Sequence, residues 1–238
     1  MRKRIRSFLI LLAATIAASS ARADAYEDVT AATSKGDYPA AVKILKPLAE
    51  KGEARAMSEL GPIYLMGKGV PVDHKEAIKW IRQAAEKGDA AAQANLGTMY
   101  LDGHILKQDY AEAMKWSLLA AGKGVAAAQA NIASMYYDGS GVGQDYKEAA
   151  KWMRLAAKQG DAESQVNLGT MYVAGQGLDR DLLRGYMWTA IGLEPLSMPP
   201  DQKKEMQELS AQLLSEPDLA KAKEMVKKCK ESQFKNCD

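Results

Sequence analysis

The chain has 238 residues, 47% of them apolar and 26% charged, a balance that excludes an intrinsically disordered polypeptide. Its formal net charge is +2, yet five basic groups (Arg2, Lys3, Arg4, Arg6, Arg22) fall in the first 23 residues, leaving 27 basic against 30 acidic side chains beyond them. Such a mildly acidic remainder offers no electrostatic footprint for nucleic acid or an anionic membrane, and two Cys exclude a disulfide-built fold.

In chain order, the basic start is followed by an apolar run from Phe8 to Ala18, 11 residues long, short of the roughly 20 needed to cross a bilayer. Ala21-Arg22-Ala23 then offers the small-residue pattern of a signal peptidase site. Residues 1–23 are therefore predicted to be an export signal cleaved after Ala23. The mature chain would be periplasmic or secreted, with no membrane-spanning segment.

Beyond that segment the sequence repeats itself. Asp37, Asp73, Asp109, Asp145 and Asp181 stand 36 residues apart. All four Trp (Trp80, Trp116, Trp152, Trp188), the series Tyr64, Tyr100, Tyr136 and Tyr172, and Gly67, Gly103, Gly139 and Gly175 keep the same step. A fixed period of this size marks stacked supersecondary units. Within one unit, Ala77, Trp80, Ile81, Ala84 and Ala85 recur at helical spacing. Asp73 with Glu76 reads as an N-cap with an acid at N3, and Gly88 as the helix stop. A second helix carries Ala92, Leu96, Met99 and Tyr100 on one face and stops at Gly103, while Gly97 leaves room for close helix approach.

The pattern predicts helices over about 25–35, 38–51, 53–66, 74–87, 89–102, 110–122, 125–138, 146–158, 161–174 and 182–193. A helix from Pro199-Pro200 to about Ser215 and another from Pro217 follow. The last carries Leu219, Ala222, Val226 and Cys229 on one face. No period-2 alternation predicts a strand. The fold class is thus all-α. Residues 24–52 form a degenerate capping hairpin, 53–194 the repeats and 195–238 the C-terminal cap helices. Pro62 inside its helix predicts a bend there, since it removes one hydrogen bond.

Segments such as DAAAQANLGTMYLDG and DYAEAMKWSLLAAGKG resemble the Sel-one-like repeat (SLR), a 36-residue relative of the tetratricopeptide repeat. The resemblance covers about residues 37–192. It implies a right-handed α/α superhelical solenoid that serves as an adaptor or scaffold, frequently exported in bacteria. The loop Gly103-His104-Ile105 departs from the pattern, lacking the second Gly of Gly139-Ser140-Gly141.

Mapped on tetratricopeptide geometry, the resemblance places a set of side chains on the concave face. From the first repeat come Arg55, Ser58, Leu65 and Met66; from the second, Ala94, Thr98, Leu101 and Asp102. The third gives Ala130, Ser134, Tyr137 and Asp138, and the fourth Glu163, Val166, Thr170 and Val173. They would line a groove for an extended peptide or protein segment, with Tyr137 as anchor.

Candidate chemistry elsewhere is sparse. Trp and Tyr at repeat positions read as inter-repeat core, and Asn95, Asn131 and Asn167 as structural hydrogen bonds between helices. His74 and His104 lack metal-ligand spacing. The Gly139-x-Gly141-x-Gly143 loop follows no strand, and Ser232-x-x-Lys235 lacks its partner motifs. No catalytic set, cofactor or metal is predicted. Cys229 and Cys237 are the only thiols; an oxidising compartment favours a bridge, with free thiols or an intermolecular bond as alternatives, and the tail CKESQFKNC resembles the capped ends of periplasmic relatives. The expected role is a non-enzymatic interaction scaffold for an unidentified protein or peptide. The alternatives are β-lactam or cell-wall chemistry, which a Cys-rich branch of the family would imply, and a structural subunit of an envelope complex.

Overall fold

The computed structural model describes residues 22–237; the basic and apolar runs read as an export signal lie outside them. Among the described residues there are twelve helices and no strand. Helix α1 covers 22–34. Then come α2 (Tyr38–Glu50), α3 (Ala54–Met66), α4 (His74–Glu86), α5 (Ala90–Asp102), α6 (Tyr110–Ala121) and α7 (Ala126–Asp138). They are followed by α8 (Tyr146–Ala157), α9 (Ala162–Ala174), α10 (Leu182–Leu193), α11 (Pro200–Gln212) and α12 (Glu216–Glu231). The chain divides into two compact units, one ending at Ala92 and one beginning at Gln93.

Local chemistry sets the helix ends. Asp73, Asp109, Asp145 and Asp181 each accept a hydrogen bond from a first-turn N–H, Asp73 from Glu76 at 3.0 Å for instance, which satisfies donors a helix start leaves orphaned. The same four aspartates donate their own N–H to the carbonyls of Tyr64, Tyr100, Tyr136 and Tyr172 at 2.9–3.0 Å. Each loop is thereby closed by one repeated backbone bond. The N3 glutamates turn forward rather than back: Glu76 pairs with Lys79, Glu112 with Lys115 and Glu148 with Lys151.

In the first unit, α3 packs against α2 and α4 over fully buried Leu45, Leu60 and Ile81. Gly61 lets the backbones close, since a Cβ there would lie 2.5 Å from Ile81 Cγ1. Helix α3 stays helical from Ala54 to Met66 with Pro62 inside it, and α2 does so through Pro47, so neither proline ends its helix. Tyr26 of α1 is buried and its hydroxyl donates to Glu53 Oε2 at 3.1 Å.

In the second unit consecutive helices from α6 to α10 pack pairwise, and α10 also touches α11 and α12. Met153, Leu168, Met171, Met187, Trp188 and Ile191 form one core with Cys229 and Cys237. The two Cys are bonded to each other. The predicted face of α12 is the inward one: Ala222 and Cys229 are buried. Helix α11 buries no side chain. The aromatic comb is core as expected at Trp80, Trp188 and Tyr172, while Trp116 and Trp152 are half-buried.

Candidate functional site

The first helix of each repeat in the second unit (α5, α7, α9) places residues three and four apart on one face by helical geometry. On α7 these are Ser134, Tyr137 and Asp138, and on α9 Asn167 and Thr170. Together with Met153 from α8 they line a hollow of about 250 Å³. Four of its six lining residues belong to the set mapped onto the concave face; Met153 and Asn167 do not.

Tyr137 is held in place. Its hydroxyl donates to Gln176 Oε1 at 2.9 Å, and its ring meets that of Tyr146 edge-on at 5.2 Å between centroids. Met153 is buried and makes the floor. Asp138 is exposed at the last position of α7. Thr170 donates to the Val166 carbonyl. Asn131 meets the structural expectation, donating from Nδ2 to Thr98 Oγ1 at 2.8 Å between α7 and α5. Asn167 does not: its amide has no hydrogen-bond partner among the described residues and faces the hollow instead.

The other mapped residues divide by exposure. Thr98, Leu101, Ala130, Val166 and Val173 are half-buried, and Asp102, Glu163 and Thr170 exposed. Ala94 is 4% exposed and belongs to the core. In the first unit Ser58 is buried and donates to Asp89 Oδ1 at 2.7 Å; it therefore offers no free surface. Arg55 is engaged by Glu59 at 2.7 Å and lies 4.1 Å above the Tyr26 ring. Leu65 is half-buried and Met66 exposed. No group of three potential metal ligands is found among the described residues. His74 and His104 are both exposed.

The Sel1 repeat profile matches residues 54–89, 90–125, 126–161 and 162–190, more than half of the chain. The chain belongs to the Sel1 repeat family. Its fold is that family's all-α solenoid of 36-residue helical hairpins, and Sel1 repeats generally serve as protein–protein interaction scaffolds. Two crystal structures of Sel1 repeat proteins are similar to it. One is c5321, a protective antigen present in uropathogenic Escherichia coli strains, with a TM-score of 0.60 and 41% identity over 64% of this chain and 33% of that one. The other is a Sel1 repeat protein from Oxalobacter formigenes, with a TM-score of 0.68 and 28% identity over 79% of this chain and 75% of that one. The chain spans about a third of the length of the E. coli antigen. No curated protein matches it.

Proposed function

We propose that the chain is an exported, non-enzymatic scaffold that holds an extended segment of a partner protein along the α5, α7 and α9 face of its second unit. The hollow between Tyr137 and Asn167 carries this reading, because it is a formed receptacle with an immobilised aromatic on its wall. Three hairpins at about 10 Å each span roughly 30 Å, the length of about nine extended residues at about 3.3 Å per residue. Half-buried Ala130 and Val166 let a backbone approach closely. Export agrees with the Cys229–Cys237 bond, which persists in oxidising compartments.

Peptides of about twelve random residues, selected on the mature chain, test the reading. Tyr137→Ala is expected to weaken the selected peptides about tenfold or more, as loss of an aromatic anchor does. Peptides that bind Tyr137→Ala as well as the parent chain overturn the groove. Turnover of a chromogenic β-lactam that a point substitution abolishes would overturn the non-enzymatic reading.

A second reading has its own observation. Leu118 and Leu119 on α6 and Leu155 on α8 are 46–48% exposed, on the second helices of their repeats. In a subunit of an envelope complex these would be the contact. Leu119→Lys with Leu155→Lys would then release the complex while leaving Tyr137-dependent peptide binding intact.

A further inference from the structure

We propose that the hollow on the α7–α9 face seats one basic side chain of the bound segment, arginine before lysine; this rests on the groove reading above. At about 250 Å³ it falls below the roughly 300–1,000 Å³ of sites for drug-sized ligands, so it suits a single side chain. Its parts match a cation on a long stem. Buried Met153 offers an apolar floor for methylenes. The pinned Tyr137 ring offers a π face. Asp138 supplies a carboxylate, and the Ser134 hydroxyl and Asn167 amide oxygen supply acceptors, none of them taken by another side chain among the described residues. No Lys or Arg lines the hollow. An apolar guest would strand these polar groups without partners, and an acidic guest would face Asp138. A guanidinium can lie flat on the ring and still reach two acceptors with its fixed fork of donors.

Two further observations point the same way. First, the charges of this face are unbalanced. Among the residues mapped onto it from the second unit, Asp102, Asp138 and Glu163 are the charged ones, and none has an ion-pair partner among the described residues. The glutamates of the second helices are neutralised locally: Glu112 by Lys115 and Glu148 by Lys151. Second, Asp102 and Asp138 are the last residues of α5 and α7. A carboxylate at a helix C-terminus opposes the helix dipole. The two acids thus stand where stability alone disfavours them, and where a bound cation would favour them.

The test uses isotope-labelled mature chain and two probes, N-acetyl-arginine methylamide and its uncharged isostere N-acetyl-citrulline methylamide. Saturable shifts are expected at the backbone amides of Tyr137, Asn167 and Thr170 with the arginine probe, and at least fivefold weaker binding with citrulline. Raising the salt is expected to weaken the arginine response, and Asp138→Asn to lower it to the citrulline level. That variant keeps its shape and leaves stability unchanged or slightly raised, so lost binding cannot come from unfolding. Equal binding of the two probes, no response to arginine, or an unaltered response in Asp138→Asn overturns the proposal. The selected peptides separate this claim from the groove reading. Tyr137-dependent peptides without Lys or Arg leave the groove standing and overturn the basic guest. Specific arginine binding with no Tyr137-dependent peptide supports the basic guest and overturns the groove. Within a Tyr137-dependent peptide, replacing the arginine by citrulline should cost about tenfold against the parent chain and almost nothing against Asp138→Asn, the signature of direct coupling.

Discussion

A buried glutamine shows how single residues hold the repeat. Gln93, Gln129 and Gln165 share the 36-residue step and are all at or below 5% exposure. Gln165 donates from Nε2 to the Ala157 carbonyl at 3.0 Å, tying α9 to the last turn of α8. Gln165→Leu keeps the volume but removes that bond, leaving the Ala157 carbonyl only the N–H of Gly160 at 3.0 Å; a loss of about 0.5–1.5 kcal/mol is expected from urea unfolding. Gly169 acts by what it lacks: a Cβ there would sit 2.8 Å from the backbone oxygen of Gly185 and the backbone nitrogen of Thr189. Gly169→Ala should therefore cost about 1–3 kcal/mol through overpacking. Gly97→Ala should cost less, because its closest clash is the rotatable Ser117 hydroxyl at 2.6 Å. Tyr26 adds a pH effect. Burial first, then the hydrogen bond to Glu53 and its charge, push the phenol from 10.0 up to about 12. Because the folded value is the higher one, the associated stability is complete below pH 10.0 and lost as pH rises towards about 12. Circular dichroism across that range should show an alkaline loss that Tyr26→Phe reduces.

At the scale of elements, the helix ends were legible. Asp at the N-caps and Gly past the C-termini are local signals, and the predicted bounds lie within a few residues of those found, as with 110–122 against Tyr110–Ala121. The glutamine series stood on the same comb, yet its burial could not be read, because a polar residue on a helix is equally at home in water. Helix α11 forms close to its predicted bounds, Pro200–Gln212. Its sequence opens with prolines suited to a helix start, but it buries nothing and leaves Leu209 and Leu213 56% and 46% exposed. Helix α12 carries the Cys229–Cys237 bond into the core beside Met187 and Trp188. The loop it closes holds Gln233 and Phe234 at positive φ, 52° and 64°, a conformation non-glycine residues adopt at a cost. Cys237→Ser should lower stability by about 2–3 kcal/mol on loop-closure grounds, and unfolded, unreduced protein should show no free thiol.

At the scale of the whole molecule, stability in a repeat protein is close to a sum of neighbouring contacts. Removing residues 216–238 uncovers Met187, Trp188 and Ile191, which α12 and the tail help to cover. The truncated chain should unfold at lower urea than Cys237→Ser does, since it loses apolar cover as well as a covalent tie. The site belongs to this scale too. The resemblance to tetratricopeptide geometry places Ser134, Tyr137, Asp138 and Thr170 on one face. Met153 and Asn167 join them only where α7, α8 and α9 meet.

The sequence by itself determined the all-α class, the period, the helix ends and the family, because caps, stops and apolar faces are properties of a few neighbouring residues repeated at a constant step. Only the tertiary structure decided which polar residues are buried, which terminal helix covers the core and where a receptacle opens. Those outcomes depend on distances between groups on different helices, such as Tyr137 on α7 and Met153 on α8, and no local pattern encodes such a distance.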